Sequence, residues 1–174
     1  MRVDMSDGLL NFRGAAIGYD QILEHVRTIL ANRRLVECTI EFLTPFRFTR
    51  DGRDVTTRNL RPSDLVRYAA RRVFILDYLY YSAGRALPFR MTPDLVSRLK
   101  DWADSTVKTE NSLAEVHIRL KEGKNYLVGK IRLEVPVAGG EPLVVFFLLK
   151  LCEYLGLGKY TTYGMGQYTL SWRA

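Results

Sequence analysis

The chain is poor in the side chains from which metal centres and disulfide frameworks are built. Its 174 residues include two cysteines, Cys38 and Cys152, and two histidines, His25 and His117. The cysteines stand far apart without C-x-x-C or Cys/His ligand spacing, so neither a zinc site nor a disulfide framework is expected, and a reducing cytoplasm fits best. No cofactor motif and no metal-ligand set are read from the sequence. Long apolar runs are absent too. The longest, around Leu143 to Leu149, stops well short of the ~18–20 residues of a membrane span, and the amino terminus lacks a signal-peptide core. No membrane association is expected. Acidic residues are in deficit, 19 against 26 Lys and Arg, for a net charge of +7.

What is present is a large apolar fraction and an arginine bias. Hydrophobic residues make up 47% of the chain, which excludes general disorder and is enough for one well-packed domain. Nineteen of the 26 basic residues are arginine, whose planar fork suits phosphate, and ten tyrosines offer stacking faces. Residues 1–33 hold as many acids as bases, so the surplus belongs to residues 34–174. Nucleic acid is the leading partner class.

Periodicity orders the elements. A helix is expected over Tyr19 to Leu30. Leu35 to Phe48 alternates with Val36, Cys38, Ile40, Phe42, Phe46 and Phe48 on one face, a strand with one buried side. Pro62, Ser63 and Asp64 start an amphipathic helix running to Gly84, and a shorter helix is expected from Pro93 to Trp102. Leu113 to Lys121 and Tyr126 to Val135 alternate around a Gly123-Lys124-Asn125 turn, which predicts a hairpin. Pro142 to Tyr154 is an almost wholly apolar helix, and Gly166 to Trp172 is a last strand. The order βαββαβ predicts an α+β, ferredoxin-like fold: a four-stranded antiparallel sheet with helices on one face, over residues 35–174, preceded by a helical extension over 1–34. On the open face the alternation places Glu41, His117, Arg119, Lys121, Lys130, Arg132 and Gln167, a mostly basic set with charges where RNA-recognition motifs carry aromatics. Backbone contact with RNA, or packing against another domain, is therefore expected over base stacking.

Between the apolar helix and the last strand lies Gly156 to Gly166, read as G-L-G-K-Y-T-T-Y-G-M-G. Glycines of this density bring bare backbone close to something, and Lys159 adds a fixed positive charge, so an anionic ligand read by the backbone is expected. A P-loop needs four residues between its first glycine and Gly-Lys, after a strand and before a helix. Here a helix precedes and a strand follows, which rejects it together with the dinucleotide fingerprint.

The Gly-hydrophobic-Gly pairs, Gly156-Leu157-Gly158 and Gly164-Met165-Gly166, flank five residues that include a basic one. With that spacing the loop resembles the carboxy-terminal signature of the CRISPR-associated repeat endoribonucleases of the sixth Cas family, within the repeat-associated mysterious protein superfamily. Thr-Pro-Phe-Arg-Phe at Thr44 to Phe48, and a helix carrying Arg71 and Arg72, look like the start of that family's second ferredoxin-like domain. The resemblance covers roughly residues 35–172. It implies binding of CRISPR repeat RNA and one metal-independent cut per repeat, in which the neighbouring 2′-hydroxyl attacks the scissile phosphate. It also implies two tandem ferredoxin-like domains, of which this sequence has room for the second. The family's usual general base is a histidine of the first domain, so no catalytic residue is carried over from it.

His25 and His117 are the candidate catalytic residues, since the reaction needs a base and an acid near neutral pH. The candidate RNA-binding residues are the loop, with Gly156, Gly158, Lys159, Tyr160, Thr161, Thr162, Tyr163, Gly164 and Gly166, the strand-end arginines Arg47 and Arg50, and the sheet-face cations Arg119, Lys121, Lys130 and Arg132. Arg67, Arg71 and Arg72 are read as a solvated helix surface. Three functions fit: an endoribonuclease or its carboxy-terminal domain, a non-catalytic RNA-binding subunit of a CRISPR effector complex, and a domain-interface or dimerisation module. Expected partners are repeat RNA with a preceding ferredoxin-like domain, other CRISPR complex subunits or a second copy of the chain.

Overall fold

The computed structural model of the protein describes residues 9–12, 15–80, 87–118 and 123–173. A short hairpin of β1 (Leu9–Phe12) and β2 (Ala15–Gly18) leads into helix α1 (Tyr19–Leu30). Strand β3 (Leu35–Phe46) follows, then a two-residue-per-strand hairpin of β4 (Thr49–Arg50) and β5 (Arg53–Asp54) and helices α2 (Pro62–Tyr80) and α3 (Pro93–Thr106). Strands β6 (Lys108–Ile118) and β7 (Lys124–Pro136), helix α4 (Glu141–Leu155) and strand β8 (Tyr168–Arg173) complete the order. The main sheet runs β6-β7-β3-β8, antiparallel throughout, which is the ferredoxin-like arrangement expected from the sequence.

The alternation along β3 has the meaning its pattern suggests: Val36, Cys38, Ile40, Phe42 and Phe46 are buried against the helices, with Ile131 and Leu133 of β7 and Tyr168 and Leu170 of β8 beside them. Pro45 cannot donate to a ladder. The pairing with β7 slips there, from Phe42 opposite Gly129 to Phe46 opposite Leu127, so β3 bulges over Leu43 to Pro45. Helix α4, apolar on nearly every side, has nine buried residues and packs on α1, α2, α3 and β8. Helix α3 begins with Thr92, whose hydroxyl accepts the Leu95 amide at 3.2 Å, followed by Pro93, and it extends one turn past the expected end at Trp102.

Two expectations need correction. The boundary placed at residue 34 is not a boundary in packing, because Ile22, Leu23 and Val26 of α1 are buried in the same core as the sheet. The parity of β6 is also reversed at its far end. Glu110 stands opposite Arg132 and Leu113 opposite Gly129, and Leu113 packs on the core, so odd-numbered residues face the helices. His117, opposite Asn125, therefore shares the helix side rather than the open face. It is nonetheless exposed. Arg119, Lys121 and the expected end of α2 at Gly84 lie outside the described residues.

Candidate RNA-binding groove

The glycine loop is fastened to its own protein. After α4 the Leu157 amide donates to the Gly166 carbonyl at 2.8 Å, Gly166 to the Pro45 carbonyl at 2.9 Å and Lys159 to the Arg47 carbonyl at 3.0 Å. Thr44 clasps the other limb, its hydroxyl donating to the Gly164 carbonyl and accepting the Gln167 amide, each at 2.9 Å. A Cβ on Gly166 would stand 2.0 Å from the Leu157 carbonyl oxygen, and one on Gly158 3.0 Å from that of Arg47. These glycines bring backbone against backbone within the fold. The expectation that their bare amides face a ligand is corrected accordingly: the amides of Leu157, Lys159 and Gly166 are engaged internally. The loop offers its outer curve instead, where Tyr160 turns left-handed at φ 61° into a single 3-10 turn, Thr161–Tyr163. Tyr160 is 40% and Tyr163 77% exposed.

This curve faces α2 across a groove of about 410 Å³. Tyr68, Arg71, Arg72 and Ile75 line the helix side, Gly158 to Thr162 the loop side. Tyr68 is held rigidly, stacked on Phe48 with centroids 4.4 Å apart and its hydroxyl accepting the Thr49 amide at 2.8 Å. The groove's charge is one-signed. Among the described residues no carboxylate lies within ion-pair distance of Arg71, Arg72 or Lys159. The Arg72 Nε is buried with no hydrogen-bond partner, a donor left without the acceptor that buried N–H groups normally find. Sequence reading passed over Arg71 and Arg72 because cations at helical spacing look the same whether they face bulk water or a cleft. The one sign available was their adjacency in a helix that the family resemblance already singled out.

The other candidates are placed differently. Arg47, nearly buried, is taken by Asp54, with Nε at 2.8 Å and the second nitrogen at 2.6 Å from one carboxylate oxygen. Arg50 pairs with the buried carboxylate of Asp64 and donates to the Asn59 carbonyl at 2.8 Å. The hydrogen bond to Asp64 raises the affinity of the Arg50 guanidinium for its proton. Both arginines therefore clamp the β4–β5 hairpin rather than stand free in a turn, which corrects the reading of them as loose guides for RNA. Tyr126 lies buried below Tyr160, ring centroids 6.4 Å apart, and burial followed by the proximity of Tyr160 pushes its phenol pKa up.

The open sheet face was expected to be mostly basic, and it is not. Register places Glu37, Glu41, Glu110 and Glu134 among Lys108, Lys130, Arg132 and Arg173. Lys130 pairs with Glu41 at 3.1 Å, Lys108 with Glu134 at 3.8 Å and Arg132 with Glu110 at 3.9 Å. Neither histidine lines the groove. His25 is exposed on α1, and His117 Nδ1 lies 3.0 Å from Asn125 Oδ1 at the hairpin end. Among the described residues no hydrogen bond joins either histidine to the glycine loop.

The loop's spacing and its place between α4 and β8 agree with a family comparison: the profile of the CRISPR-associated endoribonuclease Cas6 family matches residues 40–168. The chain belongs to that family. No curated protein gives a significant match. Among solved structures, a Cas6 product complex superposes with TM-score 0.62 at 16% identity, over 90% of this chain and 57% of that one. Thermus thermophilus Cas6 gives 0.64 at 18% identity, over 93% and 63%. A chain of a partial Cas6-RT-Cas1–Cas2 complex gives 0.66 at 15%, over 91% and 27%. These likenesses carry the fold. The chain thus spans about 57–63% of the first two Cas6 structures it matches. No helix among the described residues is long and apolar enough to cross a membrane.

Proposed function

We propose that this chain binds the repeat RNA of a CRISPR precursor transcript in the groove between α2 and the glycine loop, and that it serves a metal-independent endoribonuclease. One observation supports this above the rest: Arg71, Arg72 and Lys159 line one groove beside the glycine loop, with no acidic partner among the described residues. Tyr160 and Tyr163 on the outer curve supply stacking faces.

In the proposed reaction the 2′-oxygen beside the scissile phosphate attacks phosphorus while its proton passes to a base. The P–O5′ bond breaks, and an acid protonates the departing oxygen, leaving a 2′,3′-cyclic phosphate and a 5′-hydroxyl. The groove's cations stabilise the charge that builds on the non-bridging oxygens. His25 and His117 remain the chain's own histidine candidates. Neither histidine lines the groove, which favours a second reading, in which the chain grips RNA and a preceding ferredoxin-like domain, another CRISPR subunit or a second copy completes the cutting site. A cytoplasmic setting suits both readings.

Incubation with the labelled repeat RNA of the host's own array, in EDTA, separates them. A single cut with a cyclic phosphate end, lost in His25→Ala or His117→Ala, is the outcome for an enzyme complete in this chain, and a 2′-deoxy sugar at the scissile position then blocks the cut without blocking binding. Tight binding without a cut is the outcome for the gripping module. Absence of binding removes the proposal.

A further inference from the structure

Helix α2 has a second lined hollow on its other flank. A cavity of about 400 Å³ opens between α2 and α3, walled by Ala70, Phe74, Met91 and Val96 and rimmed by Arg71 and Lys100. Phe74 is 52% exposed above it. Arg67, also at the rim, is tied to Asp64 at 3.4 Å and to the Thr49 carbonyl, and its guanidinium lies over the Tyr68 ring. Arg71 and Lys100 have no such restraint among the described residues. Among the described residues no acidic side chain lines the cavity.

Arg71 lines this cavity and the glycine-loop groove alike. Arg71 therefore stands between the two hollows, a cation at the border of both. We propose that the apolar cavity is a base-stacking subsite: a single-stranded stretch of RNA leaving the groove crosses α2 with a phosphate on Arg71 and lays one nucleobase on Phe74, above the Met91 and Val96 floor. This rests on the proposed binding of RNA in the groove and names how the strand continues beyond it. Charge complementarity selects nucleic acid over an apolar protein segment, since a peptide helix filling the cavity would leave Arg71 and Lys100 facing no counter-charge. The ring face of Phe74 accepts any base, so the subsite holds the strand without reading its sequence.

Affinities for two probes test this: an oligoadenosine RNA, and an abasic ribose-phosphate strand of equal length that keeps every phosphate. Phe74→Ala, at an exposed position that leaves the core intact, is expected to weaken oligoadenosine binding about tenfold and to leave abasic-strand binding and the salt slope unchanged, with Phe74→Tyr restoring the loss. Lys159→Ala and Arg72→Ala are expected to weaken both probes alike. If Phe74→Ala binds both probes as the native protein does while Lys159→Ala does not, the subsite is overturned and the groove stands. If Lys159→Ala and Arg72→Ala also bind both probes unchanged, or the native protein binds neither, the groove reading fails and the subsite fails with it.

Discussion

The open sheet face and the flank of α2 carry similar side chains and behave oppositely. On the sheet, strands hold charges about 5 Å apart across the ladder, close enough for Lys108, Lys130 and Arg132 each to find a carboxylate, and the face becomes a checkerboard. Along α2, Arg71 and Arg72 line a groove with a loop whose charged residue is a lysine, so no carboxylate among the described residues neutralises them. The difference teaches that the basic surplus of this chain does its work where opposite charge is missing, and cation density alone does not locate it.

Six substitutions break or sharpen this contrast. The largest effect is expected from Asp64→Ala, which strips a buried carboxylate from Arg50, Arg67 and the Arg61 amide; about 3–5 kcal/mol of stability should vanish in denaturant melts. Gly166→Ala follows, with a methyl driven into the Leu157 carbonyl, at about 3 kcal/mol by the same measurement, whereas Gly164→Ala, which meets nothing within 4 Å, should lose about 1 kcal/mol for its left-handed backbone alone. Third, Arg72→Ala should weaken RNA binding about tenfold and flatten the slope of log affinity against log salt by about 0.7–0.9, while Arg132→Ala leaves both unchanged. Equal losses from the two arginines would erase the contrast between the faces. The smallest effect belongs to Glu41→Ala, whose exposed pair with Lys130 should contribute well under about 1 kcal/mol, read as a shift in the denaturation midpoint.

Much of the architecture was legible from the residues. The alternation of β3, the apolar run of α4 and the turn at Gly123 report local rules with periods of two and 3.6 residues, and tertiary packing follows them. The parity of β6 was not legible, because Val116 and Ile118 alternate as core residues would, while the register with β7 puts Leu113 and its odd-numbered neighbours on the helix side. The fate of the arginines was hidden for another reason. Arg47 meets Asp54 and Arg50 meets Asp64 only after the β4–β5 hairpin and the start of α2 fold back, and no period in the sequence announces such pairings. The glycine loop was found by its spacing, yet its glycines turned out to serve contacts inside the protein, a distinction that depends on where Pro45 and Arg47 end up.

Strand β3 lies in the middle of the sheet, and the loop is laced to its end through the Pro45 and Arg47 carbonyls. The loop consequently has no private melting transition. Deuterium should enter the Leu157, Lys159 and Gly166 amides at the pace of whole-domain opening, while Tyr163, bonded only within its own 3-10 turn, exchanges by fraying. A ligand arriving at the outer curve meets a template that is already set, and little chain entropy is lost in holding it.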